Sequence, residues 1–358
     1  MMEMRTDLRN FDQQGLITFV EELGQPAFRG RQMMPWIYRP GITRIEEMTD
    51  LAKDFRRILA EHAYISRFDD PIVEKAMDGT VKFGFRLHDG NIIESVLIPE
   101  PDRNTLCISS QVGCAMHCAF CLTGTMGIIR NLAPAEIVNQ VCAARDYLLA
   151  EPEETLIGPR AVTNLVYMGM GEPLNNLENV LTSLSILTEQ KGLDLTGRRI
   201  TVSTCGIVPK MHELGRRSTA NLAVSLHAVD DETRNRLMPV NRIHPLDALF
   251  EACRTYPMPK RRRIMFEYLM LDGVNDSPAE ARELARRLRL IPCKINLLPY
   301  NNCPDLPYRS SPMEKILAFQ KILMDAHYSV FIRSSRGADI LAACGQLAGE
   351  RNPNQRSE

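Results

Sequence analysis

The chain has 358 residues, with 43 Lys and Arg against 44 Asp and Glu and a formal net charge of −1. That length suits one large α/β domain with an appendage and a core that needs no covalent staples. The balanced charge confines any anion-binding face to a local patch, and no run approaches the roughly 18 apolar residues of a membrane span.

Residues 1–14 are polar and show no secretory signal. With ten cysteines in such a chain, a reducing compartment is expected, where clustered thiols serve metals or catalysis more often than disulfides. Residues 1–68 read as an N-terminal helical accessory domain. Leu16, Phe19, Val20 and Leu23 form one apolar stripe, and Met48, Leu51, Phe55, Ile58 and Leu59 a second. Arg29, Arg31, Trp36 and Tyr38 fall between them, as packing or as RNA contacts.

Residues 69–104 change to a period of two, with turn signals at Asp78-Gly79 and Asp89-Gly90, and predict an antiparallel β-hairpin extension. From 105 to 303 strand and helix patterns alternate. Strands are expected at 105–110, 164–168, 199–203, 222–226, 264–269 and 294–298, with helices at 134–149 and 278–290 among those between. Six such units predict a parallel sheet, open or closed into a barrel, with its chemistry at the strands' C-terminal ends. In 304–350, Ser311, Pro312 and Glu314 predict a capping-box helix, followed by a strand at 330–333 and an apolar segment containing Cys344. Residues 351–358 are a polar tail.

The segment Gly113-Cys114-Ala-Met-His-Cys118-Ala-Phe-Cys121 spaces three thiols as CxxxCxxC. Three thiolates can hold three irons of a [4Fe-4S] cubane and leave the fourth open to a substrate chelate. Structural zinc wants four ligands, commonly two CxxC pairs. The second pair is missing, since Cys142, Cys205, Cys253, Cys293 and Cys303 are isolated, and His117 could serve only by straining the loop. The spacing therefore favours iron–sulfur. Met168-Gly-Met-Gly171-Glu172-Pro173 ends the second strand of the series. Its glycines permit close backbone approach to a ligand, and Glu172 offers an acceptor for an ammonium. Cys205 reads as a small packing residue.

The cysteine loop resembles that of radical S-adenosylmethionine (SAM) enzymes. Further stretches narrow the resemblance to the RlmN/Cfr family of ribosomal RNA adenine methyltransferases: Glu94-Ser-Val-Leu-Ile-Pro99, Thr105-Leu-Cys107-Ile-Ser-Ser-Gln-Val-Gly-Cys114, Arg130-Asn-Leu132, Met168 to Pro173, Ser225-Leu-His227, Lys294-Ile-Asn-Leu-Leu298 and Ala342-Ala-Cys344-Gly-Gln-Leu347. It implies a partial (β/α)6 TIM-like radical SAM barrel with the helical domain and β-hairpin extension appended. It further implies a cytoplasmic, monomeric enzyme that methylates an adenine carbon of RNA, with 23S ribosomal RNA and transfer RNA as substrates and a low-potential donor such as flavodoxin.

Residue by residue, the resemblance puts a [4Fe-4S] cluster on Cys114, Cys118 and Cys121. SAM, used twice per turnover, would meet Gly171, Glu172, Ser203, Ser225, Leu226, His227 and Asn301. Cys344 would be methylated, and the derived radical would add to adenine. Glu94 would then be general base, and Cys107 would attack the Cys344 sulfur to leave a transient disulfide. Read without the family, Cys107 and Cys344 pass as packing and Glu94 as surface. Adenine C2 and C8 are both open, as in RlmN-type and Cfr-type enzymes, with Arg130-Asn-Leu and Ser335-Arg-Gly-Ala-Asp favouring the former. A non-catalytic RNA-binding protein with a structural metal is the alternative from another class. A base must be held out of its stack for such chemistry, and Arg254 and Lys260-Arg-Arg-Arg263, the densest basic cluster, are expected to line the approach, with Arg333, Arg336, Arg29 and Arg31 as further candidates.

Overall fold

A short strand β1 (Thr6–Asp7) leads into helices α1 (Gln13–Glu22), α2 (Phe28–Ile37) and α3 (Lys53–His62), after which β2 (Ala63–Tyr64) pairs in parallel with β1. The structure is a computed structural model that describes residues 5–303 and 306–347, so the expected polar tail lies outside the described residues. The Asp12 carboxylate caps α1 by accepting the Gly15 N–H at 2.9 Å. Leu16, Phe19 and Val20 of α1, Phe55 and Leu59 of α3, and the preceding Met48 and Leu51 are buried as their spacing demands. Helix α2 corrects the sequence reading: Arg29, Arg31 and Trp36 lie on a helix, not between helices. Gly30 and Pro35 mask it in the sequence. Gly30 is where α1 crosses, and a Cβ there would stand 2.7 Å from the Ile17 backbone.

Strands β3 (Ile72–Lys75), β4 (Val81–Arg86) and β5 (Ile92–Glu100) form the antiparallel element. Gly79 and Gly90, both at φ +83°, close its two turns. The element is continuous with the parallel series. Strand β5 pairs with β6 (Arg103–Cys107), and β6 pairs in parallel with β9 (Asn164–Tyr167). Between them β7 (Gln111–Cys114) and β8 (Gly127–Asn131) make a small hairpin around α4 (Leu122–Thr125), and α5 (Pro134–Ala150) leads on to β9.

The β/α series continues with α6 (Leu177–Thr188), β10 (Ile200–Thr204), α7 (Val208–Arg217), β11 (Asn221–Ser225), α8 (Asp231–Leu237), α9 (Leu246–Arg254), β12 (Ile264–Met270), α10 (Pro278–Leu288), β13 (Cys293–Pro299), α11 (Met313–Asp325) and β14 (Val330–Ile332). Among the described residues one sheet of ten strands runs β14-β13-β12-β11-β10-β9-β6-β5-β4-β3, parallel from β14 to β6 and antiparallel beyond. This is a partial parallel barrel extended by a meander on one edge. One apolar core joins the N-terminal helices, the meander and the barrel.

The expected capping box at Ser311 does not form. Helix α11 begins at Met313 after Pro312 without a side-chain cap, and the Ser311 hydroxyl is buried with no partner among the described residues. The box forms at α10 instead, where Ser277 and Glu280 each accept the other's backbone N–H, at 3.3 and 2.8 Å. Among the described residues, no helix is long and apolar enough to cross a membrane.

Candidate active site at the strand ends

The cysteine segment sits inside the β7–β8 hairpin. Cys114 ends β7, Cys118 lies on the following loop and Cys121 precedes α4. Gly113, at φ +74°, permits this hairpin, because a Cβ would fall 1.9 Å from the Gly127 carbonyl oxygen. The loop bends again at His117, left-handed at φ 50° and exposed. Three contacts fix it to the barrel mouth. Ala119 N–H donates to the Leu237 carbonyl at 2.9 Å, Leu122 N–H to the Gly345 carbonyl at 2.8 Å, and Phe120 and His227 pack T-shaped with ring centroids 4.9 Å apart.

Burial raises the Cys114 thiol to about 12, to which the charges of Glu172 and Cys121 contribute. Burial likewise raises Cys118, followed by Cys121, Cys114 and Glu172. The Cys114 and Cys118 sulfurs thus share a desolvated neighbourhood in which the charges of Cys121 and Glu172 oppose their ionisation. An anionic donor set of this kind fits a cationic cluster and a ligand ammonium. No three His, Cys, Asp or Glu side chains among the described residues converge on a site for one ion; a cubane takes its thiolates on separate irons.

Glu172 follows Gly171, whose φ of +97° and contact with Gln111, where a Cβ would meet the Gln111 Cβ at 2.5 Å, require glycine. The Glu172 carboxylate accepts the Cys205 N–H at 2.8 Å and the Leu174 N–H at 3.0 Å, while burial raises its pKa. The remaining residues expected to meet SAM fall at successive strand ends: Ser203 near the end of β10, Ser225 ending β11, Leu226 and His227 just after it, and Asn301 after β13. His227 is buried, and its Nδ1 accepts the Leu269 backbone N–H at 3.0 Å, which leaves the proton on Nε2. Burial and then Arg234 push its pKa down to about 3, so the ring is neutral. Asn301 accepts the Ser335 hydroxyl. Asn296 Oδ1 and the Tyr300 hydroxyl are buried without a partner among the described residues, which suits them to a polar ligand.

Cys107 ends β6 and is buried, and its thiol is raised by burial and then by Cys344. Cys344 is exposed, yet protein crowds its sulfur on enough sides to raise it to about 11, helped by Glu267 and Cys121. Cys344 is thus near enough for its charge to be felt at Cys107, and the Leu122–Gly345 hydrogen bond sets the Cys344 segment beside the cysteine loop. Glu94, on β5, is buried with its side chain 3.5 Å from Lys82 Nζ, and its carbonyl accepts the Ser109 hydroxyl at 2.6 Å. Strand register puts Val96 opposite Cys107, so Glu94, two residues away, shares the Cys107 face of the sheet. The surface reading of Glu94 is corrected by this burial.

Several residues in the site escaped the sequence reading. Arg234, fully buried, donates to the carbonyls of Leu226 (3.0 Å), Cys205 (2.8 Å) and Ser225 (3.1 Å) and to Asn241 Oδ1 (2.9 Å), pinning two strand ends. Cys205 is thus more than packing, since its main chain links Glu172 to Arg234. Ser109 ties Glu94 to the Met170 N–H, at 2.8 Å, and Gln140 accepts from Ser109 N–H and the Ser95 hydroxyl, at 2.8 and 2.6 Å. Glu267 lies opposite Ser225 and Asn296, and Asn296 Nδ2 donates to it at 2.9 Å.

The structure also corrects the expected RNA approach. Lys260 to Arg263 immediately precede β12, and Arg262 donates to the Thr219 carbonyl ahead of β11, so this cluster occupies the strands' N-terminal end, opposite the cysteines. Arg333 and Arg336 follow β14 and lie at the site's own end.

Two family descriptions match the chain: the N-terminal domain of ribosomal RNA large subunit methyltransferases over residues 6–65, and the radical SAM superfamily over 108–285. A protein named dual-specificity RNA methyltransferase RlmN from Desulfotalea psychrophila is 70% identical over 98% of this chain and 97% of its own length. One of the same name from Geobacter sulfurreducens is 51% identical over 98% and 94%. A crystal structure of a radical SAM methyltransferase from Sphaerobacter thermophilus matches with a TM-score of 0.87 and 43% identity, covering 96% of this chain and 99% of that one.

Proposed function

The chain belongs to the RlmN family of radical SAM RNA methyltransferases, and from that premise we propose that it converts adenosine to 2-methyladenosine in 23S ribosomal RNA and in transfer RNA. It is a SAM-dependent RNA methyltransferase, which sets aside the non-catalytic alternative. Cys114, Cys118 and Cys121 hold the cluster. Gly171, Glu172, Ser203, Ser225, Leu226, His227 and Asn301 hold the sulfonium cofactor, with Glu172 on its ammonium. When bound, the two groups supply an electron, a carbon radical and a transferable methyl group.

The protein's own residues carry the rest. Cys344 loses its proton and accepts the methyl carbon on sulfur as the cofactor's thioether leaves; once that carbon has given up a hydrogen atom and formed a C–C bond to adenine, Cys344 is the covalent tether to the base. Glu94 takes the proton from the substituted adenine carbon. Cys107, as thiolate, attacks the Cys344 sulfur; an S–S bond forms, the S–C bond breaks, and its electron pair leaves with the carbon, which takes up a proton to become the methyl group. A dithiol reductant restores both thiols. The chain acts as a monomer in the cytoplasm, reduced by a flavodoxin-like donor.

The observation that supports this most is the seating of the Cys344 segment on the cysteine loop, through the Leu122 N–H to the Gly345 carbonyl at 2.8 Å, near enough to Cys107 for the charge of Cys344 to raise that thiol. The test is mass spectrometry of nucleosides from ribosomal and transfer RNA treated with the reconstituted enzyme. 2-Methyladenosine is expected, and 8-methyladenosine would instead place the chain's chemistry at the other carbon. In parallel, alanine at Cys114, Cys118 or Cys121 should abolish iron and sulfide uptake.

A further inference from the structure

We propose that Lys82 is a positioning residue that fastens the base Glu94 to the loop carrying Cys344, so that carboxylate and thiol are presented to the substrate as one unit. This rests on the reading of Glu94 as the base.

Lys82 lies on β4. Glu74 of β3 is directly opposite it, and Gly84, two residues on, is opposite Glu94 of β5. The three side chains therefore share one face of the meander. The Lys82 side chain is only 10% exposed. A lysine so buried is tolerated only when its ammonium is fully matched. It has three protons to donate, and three acceptors surround it: the Ile340 carbonyl at 2.9 Å, Glu74 at 3.0 Å and Glu94 at 3.5 Å.

The two carboxylates are neighbours in the sheet, and a cross-strand lattice alone would account for them. The third acceptor comes from the far end of the chain, four residues before Cys344. The same loop is seated on the same meander at further points. Gly337 N–H donates to Asp78 at 3.1 Å, Met77 N–H donates to Asp339 at 3.0 Å, and Arg336 lies 3.9 Å from Asp78. Those contacts place the loop, and Lys82 is the member of the set that also touches Glu94. Removing its charge takes away the cation that lies between buried Glu94 and half-exposed Glu74 and withdraws the donor from Ile340. Displacement of about 1 Å between reacting groups can cost a hundredfold in rate.

The test compares Lys82→Met, Lys82→Arg and Glu94→Gln in the reconstituted full-length enzyme. For Lys82→Met the expected result is a turnover number lower by roughly tenfold to a hundredfold at unchanged KM for RNA, with the RNA–protein adduct through Cys344 accumulating. Lys82→Arg should recover most of the rate. Independently of turnover, amide exchange over residues 336–342 should accelerate in Lys82→Met. Wild-type turnover in Lys82→Met, a loss without adduct, or an Arg variant as poor as the Met variant would each overturn the proposal. Where Lys82→Met does not fold, Lys82→Gln, which keeps a donor for Ile340 and loses the charge, is read the same way. Glu94→Gln separates the two ideas. If it traps adduct while Lys82→Met does not, only the role of Lys82 fails; if it turns over normally, the reading of Glu94 fails first.

Discussion

The carboxylate of Glu172, at the end of one barrel strand, accepts the backbone N–H of Cys205, at the end of the next, at 2.8 Å. The strand ends are thereby joined through the group expected to receive the cofactor's ammonium. A hydrogen bond to a charged group contributes about 1.5–3 kcal/mol. Glu172→Gln should therefore weaken SAM binding by roughly tenfold to a hundredfold while iron content stays at the wild-type level. Equilibrium dialysis with labelled SAM on cluster-loaded protein measures this, and unchanged affinity would remove Glu172 from the ammonium site.

Cys107→Ala should leave Cys344 able to acquire the base but unable to release it. A covalent RNA–protein species is expected to build up to near-stoichiometric amounts, visible by denaturing electrophoresis and mapped to Cys344 by peptide mass spectrometry. Freely released methylated RNA from this variant contradicts the resolving role.

Burial raises the carboxyl of Glu267 to about 7, against the smaller opposing effects of the Asn296 hydrogen bond and Arg333. The folded-state value lies above that of an unfolded glutamate, so folding favours the protonated form. The resulting stability is fully present below about pH 4 and is lost as pH rises through about 7. Anaerobic thermal unfolding from pH 5 to 8 should show wild type losing stability relative to Glu267→Gln, by an amount on the order of 3 kcal/mol. Parallel pH profiles for the two proteins would show that the carboxyl is not held in this way.

Arg234 is fully buried and serves three carbonyls and one side-chain amide. Arg234→Met strands those acceptors and should cost about 3–5 kcal/mol of stability. Arg234→Lys should rescue little, since an ammonium cannot reproduce the planar fork that reaches Ser225, Leu226 and Cys205 together. Denaturant midpoints of the apoproteins measure both.

What the sequence made legible was local. The spacing of Cys114, Cys118 and Cys121, the glycines around Glu172 and the alternation of strands and helices are each readable within a short window, and the sheet follows them closely. Lys82, Arg234 and Glu267 were not readable. Each gains its meaning from partners supplied by the fold, such as the Ile340 carbonyl for Lys82. Lys260 to Arg263 show the opposite error. Their density invited an RNA-facing role, whereas their position just before a parallel strand sends them away from the site. Cys107 and Glu94 were intelligible only by resemblance, because a single thiol or carboxylate in a strand carries no local sign of what crosses it.

The segment around Cys344 is gripped largely through its main chain: the Gly337 N–H and the carbonyls of Ile340, Gly345 and Leu347 are taken by Asp78, Lys82, Leu122 and Thr123. Replacing the side chain at position 344 leaves every one of those attachments intact. Selenocysteine or a pre-alkylated cysteine installed there would inherit the native placement, which makes the position a natural socket for chemical probes of the reaction.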